Sequence, residues 1–136
     1  MKAICYISDF SSDLTDQSTD DLISFVNTYN NSNNVTGLLI LKNKHFFQIL
    51  EGEHDIIDAL FKRIQKDMRH TNVIKLLDTK IKGRVFDDYN GGNFKVFENT
   101  ADMNKLYLYF NWIKQAEYLP ANSLIQLTTN FLNQNK

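Results

Sequence analysis

The sequence predicts an α+β fold: two helices on one face of a small mixed sheet, followed by a helical hairpin at the C-terminus. Three observations carry this. Five short apolar segments read as strands, two longer segments between them repeat their apolar residues at helical spacing, and the resulting order is βαββαββ. The last forty or so residues then repeat apolar positions at helical spacing in two runs.

Residues 2–8 form the first strand. Side chains alternate along a strand, so Ile4, Tyr6 and Ser8 share one face and Ala3, Cys5 and Ile7 the other. A polar loop runs from Asp9 to Gln17. Ser18-Thr19-Asp20-Asp21 has the S-x-x-D form of a helix start, after which Leu22, Val26 and Tyr29 recur with Phe25 beside them. The turn-forming run Asn30-Asn31-Ser32-Asn33-Asn34 places the end of this helix near Asn30. Residues 35–42 and 45–51 read as two strands of a hairpin closed by Asn43-Lys44. A second helix over 54–69 carries Ile57, Leu60, Phe61 and Ile64 on its apolar stripe. Strands follow at 73–82 and, after the loop Asp87 to Gly92, at 93–98. Beyond these, Met103, Leu106, Phe110 and Ile113 are spaced three, four and three apart. Pro120 marks the start of a further helix bearing Leu124, Leu127, Phe131 and Leu132. This hairpin is expected to cover the free face of the sheet, or else to form a partner interface. The division expected is residues 1–98 as the principal domain and 99–136 as its helical extension.

Composition narrows the function. With 136 residues, 43% of them hydrophobic, and a net charge of −1, the chain reads as one ordinary globular unit with no basic surface for nucleic acid. Ten phenylalanines suit a filled core or an aromatic-lined pocket. The lone Cys5 forms no internal disulfide, sits in an apolar strand and is expected to be a small buried hydrophobe, which points to the cytoplasm. Met1-Lys2-Ala3-Ile4-Cys5-Tyr6 lacks a signal-peptide pattern, and no apolar run approaches the ~20 residues of a membrane span. His45, His54 and His70 lack metal-ligand spacing, so no metal site is expected. A glycine-rich phosphate cradle with a following arginine and a nicotinamide-binding fingerprint are both missing, so no enzyme activity is expected.

The most informative stretch is Val35-Thr36-Gly37-Leu38-Leu39-Ile40 with Phe46-Phe47-Gln48-Ile49-Leu50-Glu51-Gly52. One amide interrupts a run that otherwise reads as a buried strand. Leaving its polar atoms unpaired there costs about 1–3 kcal/mol. Gln48 therefore faces solvent, or the fold needs an amide inside.

Other residues favour the second answer. Tyr6 lies mid-strand, Asn30 lies six residues before Thr36-Gly37, and Gln48 precedes Leu50-Glu51-Gly52. Arg63-Ile64 comes three residues before Asp67-Met68-Arg69-His70, and Arg84-Val85-Phe86 follows. From residue 1 to about 97 this ordered set resembles the BLUF family of flavin-using blue-light sensors. The resemblance implies a ferredoxin-like sheet that holds a flavin ring between two helices. The cofactor implied is FAD, with FMN or riboflavin as alternatives. Tyr6 matches the family's redox-active tyrosine and Gln48 the glutamine between it and the flavin. Asn30 matches the asparagine that bonds the flavin's pyrimidine edge. Arg63, Asp67, Arg69 and His70 match positions near the ribityl chain and phosphate or the pocket wall. The residue chemistry agrees, because amides supply both donors and acceptors, and Leu22, Ile23, Val26 and Ile64 can form apolar walls.

By the same resemblance, Tyr6 gives up an electron after blue light, its proton moves through Gln48, and Gln48 is left rotated or tautomerised. Absorption then shifts to the red. Where the family commonly carries a tryptophan and, two residues on, a methionine, this chain has Tyr89 and Gly91. Tyr89, or Trp112 in the tail, is the candidate for signalling. The output expected is a downstream protein partner or a homo-oligomer interface. Read singly, Arg63 and Asp67, four apart on one helix, would form a surface ion pair.

Overall fold

In the computed structural model, which describes residues 1–86, 94–97, 104, 106–108, 110–111 and 119–134, the central strand of the sheet has both faces covered. This is β3 (His45–Gly52), where every residue after His45 is buried. It lies mid-sheet in the order β4-β1-β3-β2-β5, the others being β1 (Lys2–Phe10), β2 (Thr36–Lys42), β4 (His70–Lys80) and β5 (Lys95–Phe97). All pairings are antiparallel except β2 with β5, so the sheet is mixed, as expected. The helices are α1 (Asp16–Ser32), α2 (His54–Lys66) and α3 (Leu119–Gln134); residues 104, 106–108, 110 and 111 are helical too. Met103 and Ile113, the outer members of the first tail stripe, lie outside the described residues.

The alternation read from β1 holds. Ile4 and Tyr6 join Leu39, Leu41, Phe46 and Leu50 beneath α1 and α2. Ala3 and Cys5 join Leu38, Ile40, Phe47 and Ile49 on the opposite face, against Leu106, Phe110, Leu124, Ile125 and Leu132. The C-terminal helical residues therefore cover the free face, with Phe47 and Phe131 ring centroids 5.1 Å apart. Each fully buried Leu, Ile or Phe contributes about 1.5–3 kcal/mol, so both layers are held chiefly by apolar contact.

Asn43 and Lys44 both have positive φ, 51° and 63°, the two-residue turn that suits a right-twisted hairpin. Gly37, in β2, has φ 132°, and a Cβ there would lie 2.0 Å from the Ile49 carbonyl oxygen. Only glycine lets β2 approach β3 this closely. Lys2 joins three elements: its Nζ lies 2.7 Å from Asp58 on α2 and 2.8 Å from Asp78 on β4.

Among the boundaries that differ from the sequence expectation, four frame the cleft. The cap of α1 is Thr15, whose hydroxyl accepts from the Ser18 backbone N–H at 3.1 Å, so Ser18 lies inside the helix. The same helix runs through Asn30 to Ser32, because the Asn33 N–H caps the Tyr29 carbonyl and Asn34 takes the left-handed turn. At the other helix, α2 stops at Lys66. Asp67 has an extended backbone, and pairing of Phe10 with His70 starts β4 three residues early. Among the described residues no helix is long and apolar enough to cross a membrane, and none form a cluster able to hold a metal ion.

Candidate functional site

Strand register brings the first two site residues together. Tyr6 and Gln48 are direct partners across β1 and β3, so their side chains leave the same face at one level. Both are buried, and the Tyr6 hydroxyl donates to Gln48 Oε1. The amide in the apolar run is thus an interior one. Burial, then the nearby Asp67 carboxylate and Cys5, push the Tyr6 phenol far above its ordinary value, so it keeps its proton at neutral pH.

These two groups form the floor of a cleft between α1, α2 and the sheet. The cleft is narrow and partly open to solvent; about 500 Å³ free of protein atoms lies within it and in the solvent at its mouth. Leu22, Phe25 and Val26 of α1 and Leu60 and Ile64 of α2 make its apolar walls, while Asn30, Asp67, Arg69 and His70 add polar groups. Asn30 sits here because α1 continues past it; its carbonyl accepts from the Val35 N–H at 2.8 Å. Its Nδ2 is buried with no partner. A buried donor left unpaired costs about 1–3 kcal/mol, so this position calls for an acceptor inside the cleft.

The connector after α2 places the charged residues. Arg69 grips the Asp67 carboxylate with Nε at 3.0 and 3.1 Å and Nη2 at 2.6 Å, and its backbone N–H adds a bond of 2.9 Å. Burial acts to raise the Asp67 pKa, but these bonds outweigh it and hold the carboxyl below its usual range. His70 Nε2 faces the Ile64 carbonyl at 2.6 Å and Nδ1 faces Ser8 Oγ at 2.9 Å. A carbonyl only accepts, so Nε2 carries a proton. The His70 ring also meets the edges of Tyr6 and Phe46, at 6.2 and 5.7 Å. His70 therefore ties the end of α2 to the strand bearing Tyr6.

Of the expected site residues, Tyr6, Asn30, Gln48, Asp67, Arg69 and His70 converge on this cleft. Ile23 and Arg63 do not line it. Ile23 packs partly buried against the apolar core of this face. Arg63 lies over the rings of Tyr29 and Phe25, 5.0 and 5.6 Å from their centroids. The expected Arg63–Asp67 ion pair gives way to Asp67–Arg69, because Asp67 has left the helix. Tyr89, Gly91 and Trp112 lie outside the described residues. Phe25, Leu39, Phe46 and Leu60 also line the cleft and were not singled out for it. Strand alternation was the available signal for Leu39 and Phe46, which share the face of Gln48.

A flavin ring fits these residues: it is flat and aromatic, suits apolar walls, and carries carbonyl acceptors and an N–H along one edge. The unpaired Asn30 Nδ2 meets the need for a donor and the Asp67 carboxylate that for an acceptor.

Comparisons with known proteins identify the family. Among solved structures, the chain is similar to BlsA in its photo-activated state, with a TM-score of 0.66 and 29% identity over 79% of this chain and 77% of that one. It is also similar to a Klebsiella pneumoniae BlrP1 calcium/cy-diGMP complex, with a TM-score of 0.67 and 26% identity over 79% of this chain and 27% of that one. Among curated proteins it is 31% identical, over 57% of its length, to the blue light- and temperature-regulated antirepressor BluF of Escherichia coli. It is 36% identical, over 41% of its length, to photoactivated adenylate cyclase subunit beta of Euglena gracilis. The chain spans only 19% and 6% of the lengths of these two relatives. The family model "Sensors of blue-light using FAD" matches residues 1–92, and the chain belongs to this BLUF family.

Proposed function

We propose that this chain senses blue light through a hydrogen-bond switch between Tyr6 and Gln48. The observation that carries the reading is the buried Tyr6–Gln48 bond on the floor of a cleft whose Asn30 donor lacks a partner. A bound flavin supplies blue-light absorption and an acceptor for one electron from a nearby phenol. Tyr6 loses its proton along the existing bond to Gln48 Oε1 as it gives up that electron. On return, Gln48 is left rotated or tautomerised, which exchanges the donor and acceptor it presents to the cleft. Asn30 and Asp67 would hold the flavin by hydrogen bonds, and Leu22, Val26 and Ile64, which line the cleft, would keep water from it. In this reading the signal passes to a downstream protein or a homo-oligomer interface, in the cytoplasm. The flavin taken is FAD, in keeping with the family's description.

The test is the visible absorption spectrum of the purified protein in darkness and directly after blue light. A flavin spectrum with a reversible red shift is expected. Tyr6→Phe should keep the colour and lose the shift; a parent-like shift in that variant would overturn the relay. Mass spectrometry of the released cofactor identifies the flavin, and recovery of FMN or riboflavin alone would correct the FAD assignment.

A further inference from the structure

Glu51 lies three residues beyond Gln48 on β3 but faces the other side of the sheet, paired with Ala3 and Thr36. It is fully buried. A carboxyl group away from water is tolerated only where donors meet its oxygens, and here three do. Oε1 accepts from Thr36 Oγ1 at 2.9 Å and from the Phe86 N–H at 3.0 Å; Oε2 accepts from the Val85 N–H at 2.6 Å. Arg84 adds a second tie between the same segments, with Nη1 donating to the carbonyls of Asn34 at 2.7 Å and Glu51 at 3.2 Å.

Residues 81–86 are neither helix nor strand, so the Val85 and Phe86 amides lack a ladder and use this carboxyl instead. The side chains of Val85 and Phe86 then enter the core shared with the C-terminal helical residues. The Phe86 and Phe110 rings meet edge to face at 6.2 Å. One strand thus carries Gln48 on its cleft side and, about 10 Å along, a carboxyl gripping the chain that packs on the extension.

We propose that Glu51 is the joint through which a rearrangement at Gln48 reaches the C-terminal helices, by way of Val85, Phe86 and Phe110. The proposal rests on the photoreceptor reading above. Packed cores shift between discrete arrangements rather than deforming smoothly, so a small movement of β3 is passed on as a change in how Phe86 seats. Glu51→Gln keeps the shape but turns one acceptor into an NH2 group facing donors, which breaks at least one tie.

The experiment follows flavin-loaded full-length chain by absorption and by hydrogen–deuterium exchange, in darkness and under blue light. In the parent, exchange over residues 119–134 should differ between dark and light. Glu51→Gln should keep the red shift while that difference falls at least about five-fold, the lower range of coupling between sites. A full difference in Glu51→Gln, or none in the parent, overturns the proposal. A parent that holds flavin but shows no shift overturns the photoreceptor reading, and this proposal with it. If Glu51→Gln does not fold, Thr36→Val, which removes one bond to the same carboxyl, replaces it. A reduced difference then supports the joint and an undiminished one overturns it.

Discussion

Asn30 shows how a single side chain can be tuned for a ligand at the protein's expense. Its Nδ2 is buried and unpaired, so the flavin-free fold carries that cost. Asn30→Ala should therefore leave the urea midpoint of the flavin-free protein no lower than the parent's. The same change should weaken flavin binding about tenfold, as the loss of one hydrogen bond of about 1.4 kcal/mol implies. Flavin titration and urea melts of one preparation check both halves, and an unchanged affinity would remove Asn30 from the site. Gly37 carries the opposite kind of constraint. Its φ of 132° and the Ile49 carbonyl beside it leave no room for a Cβ. Gly37→Ala should cost about 3 kcal/mol, read as a lowered urea midpoint.

Elements are fixed to one another by a few polar ties. Thr15 caps α1, so Thr15→Ala should destabilise the protein by about 1 kcal/mol. Ser18→Ala, at the position the sequence suggested, should cost clearly less. Lys2 holds β1 to α2 and β4. Its bonds lower the pKa values of Asp58 and Asp78 below the ordinary 3.8. A carboxyl with a depressed folded-state pKa adds stability above its unfolded value, and that stability is lost as pH falls through the folded value. Burial acts to lower the Lys2 pKa, but the two carboxylates raise it above 10.5. Its contribution is thus complete below 10.5 and fades as pH rises through the raised value. Lys2→Met should flatten both limbs of the stability profile. Urea midpoints from about pH 7 down to about pH 3 check the acid limb; a slope as steep as the parent's would show that other carboxylates carry it.

At the scale of the whole molecule, the sheet has two apolar faces with separate tasks. One supports the cleft, and the other is sealed by the C-terminal helical residues. Leu124, fully buried in that seal, should cost about 3 kcal/mol when cut to alanine. The loss should appear in a single transition, with flavin absorbance and far-ultraviolet circular dichroism changing together. Two separated transitions would mean that the extension unfolds on its own.

Local pattern determined much of this protein. Alternation assigned the faces of β1, helical spacing found both helices of the cleft, and the misplaced amide of Gln48 marked the site. Those signals are legible because each depends on neighbours within a turn or a strand. Other features depended on partners far away in the chain. Asp67 left its helix because β4 begins at His70 to pair with β1, and with that it exchanged Arg63 for Arg69. Asn30 became interior only because capping at Asn33 carried α1 past it. Ile23 and Arg63 fell outside the cleft because that depends on which way each helix is rolled against the sheet. The Tyr6–Gln48 bond needed a register spanning 42 residues of sequence. Apart from Gln48, the site residues were named by resemblance to the BLUF family, and cross-strand register, which no local pattern encodes, decided which of them meet.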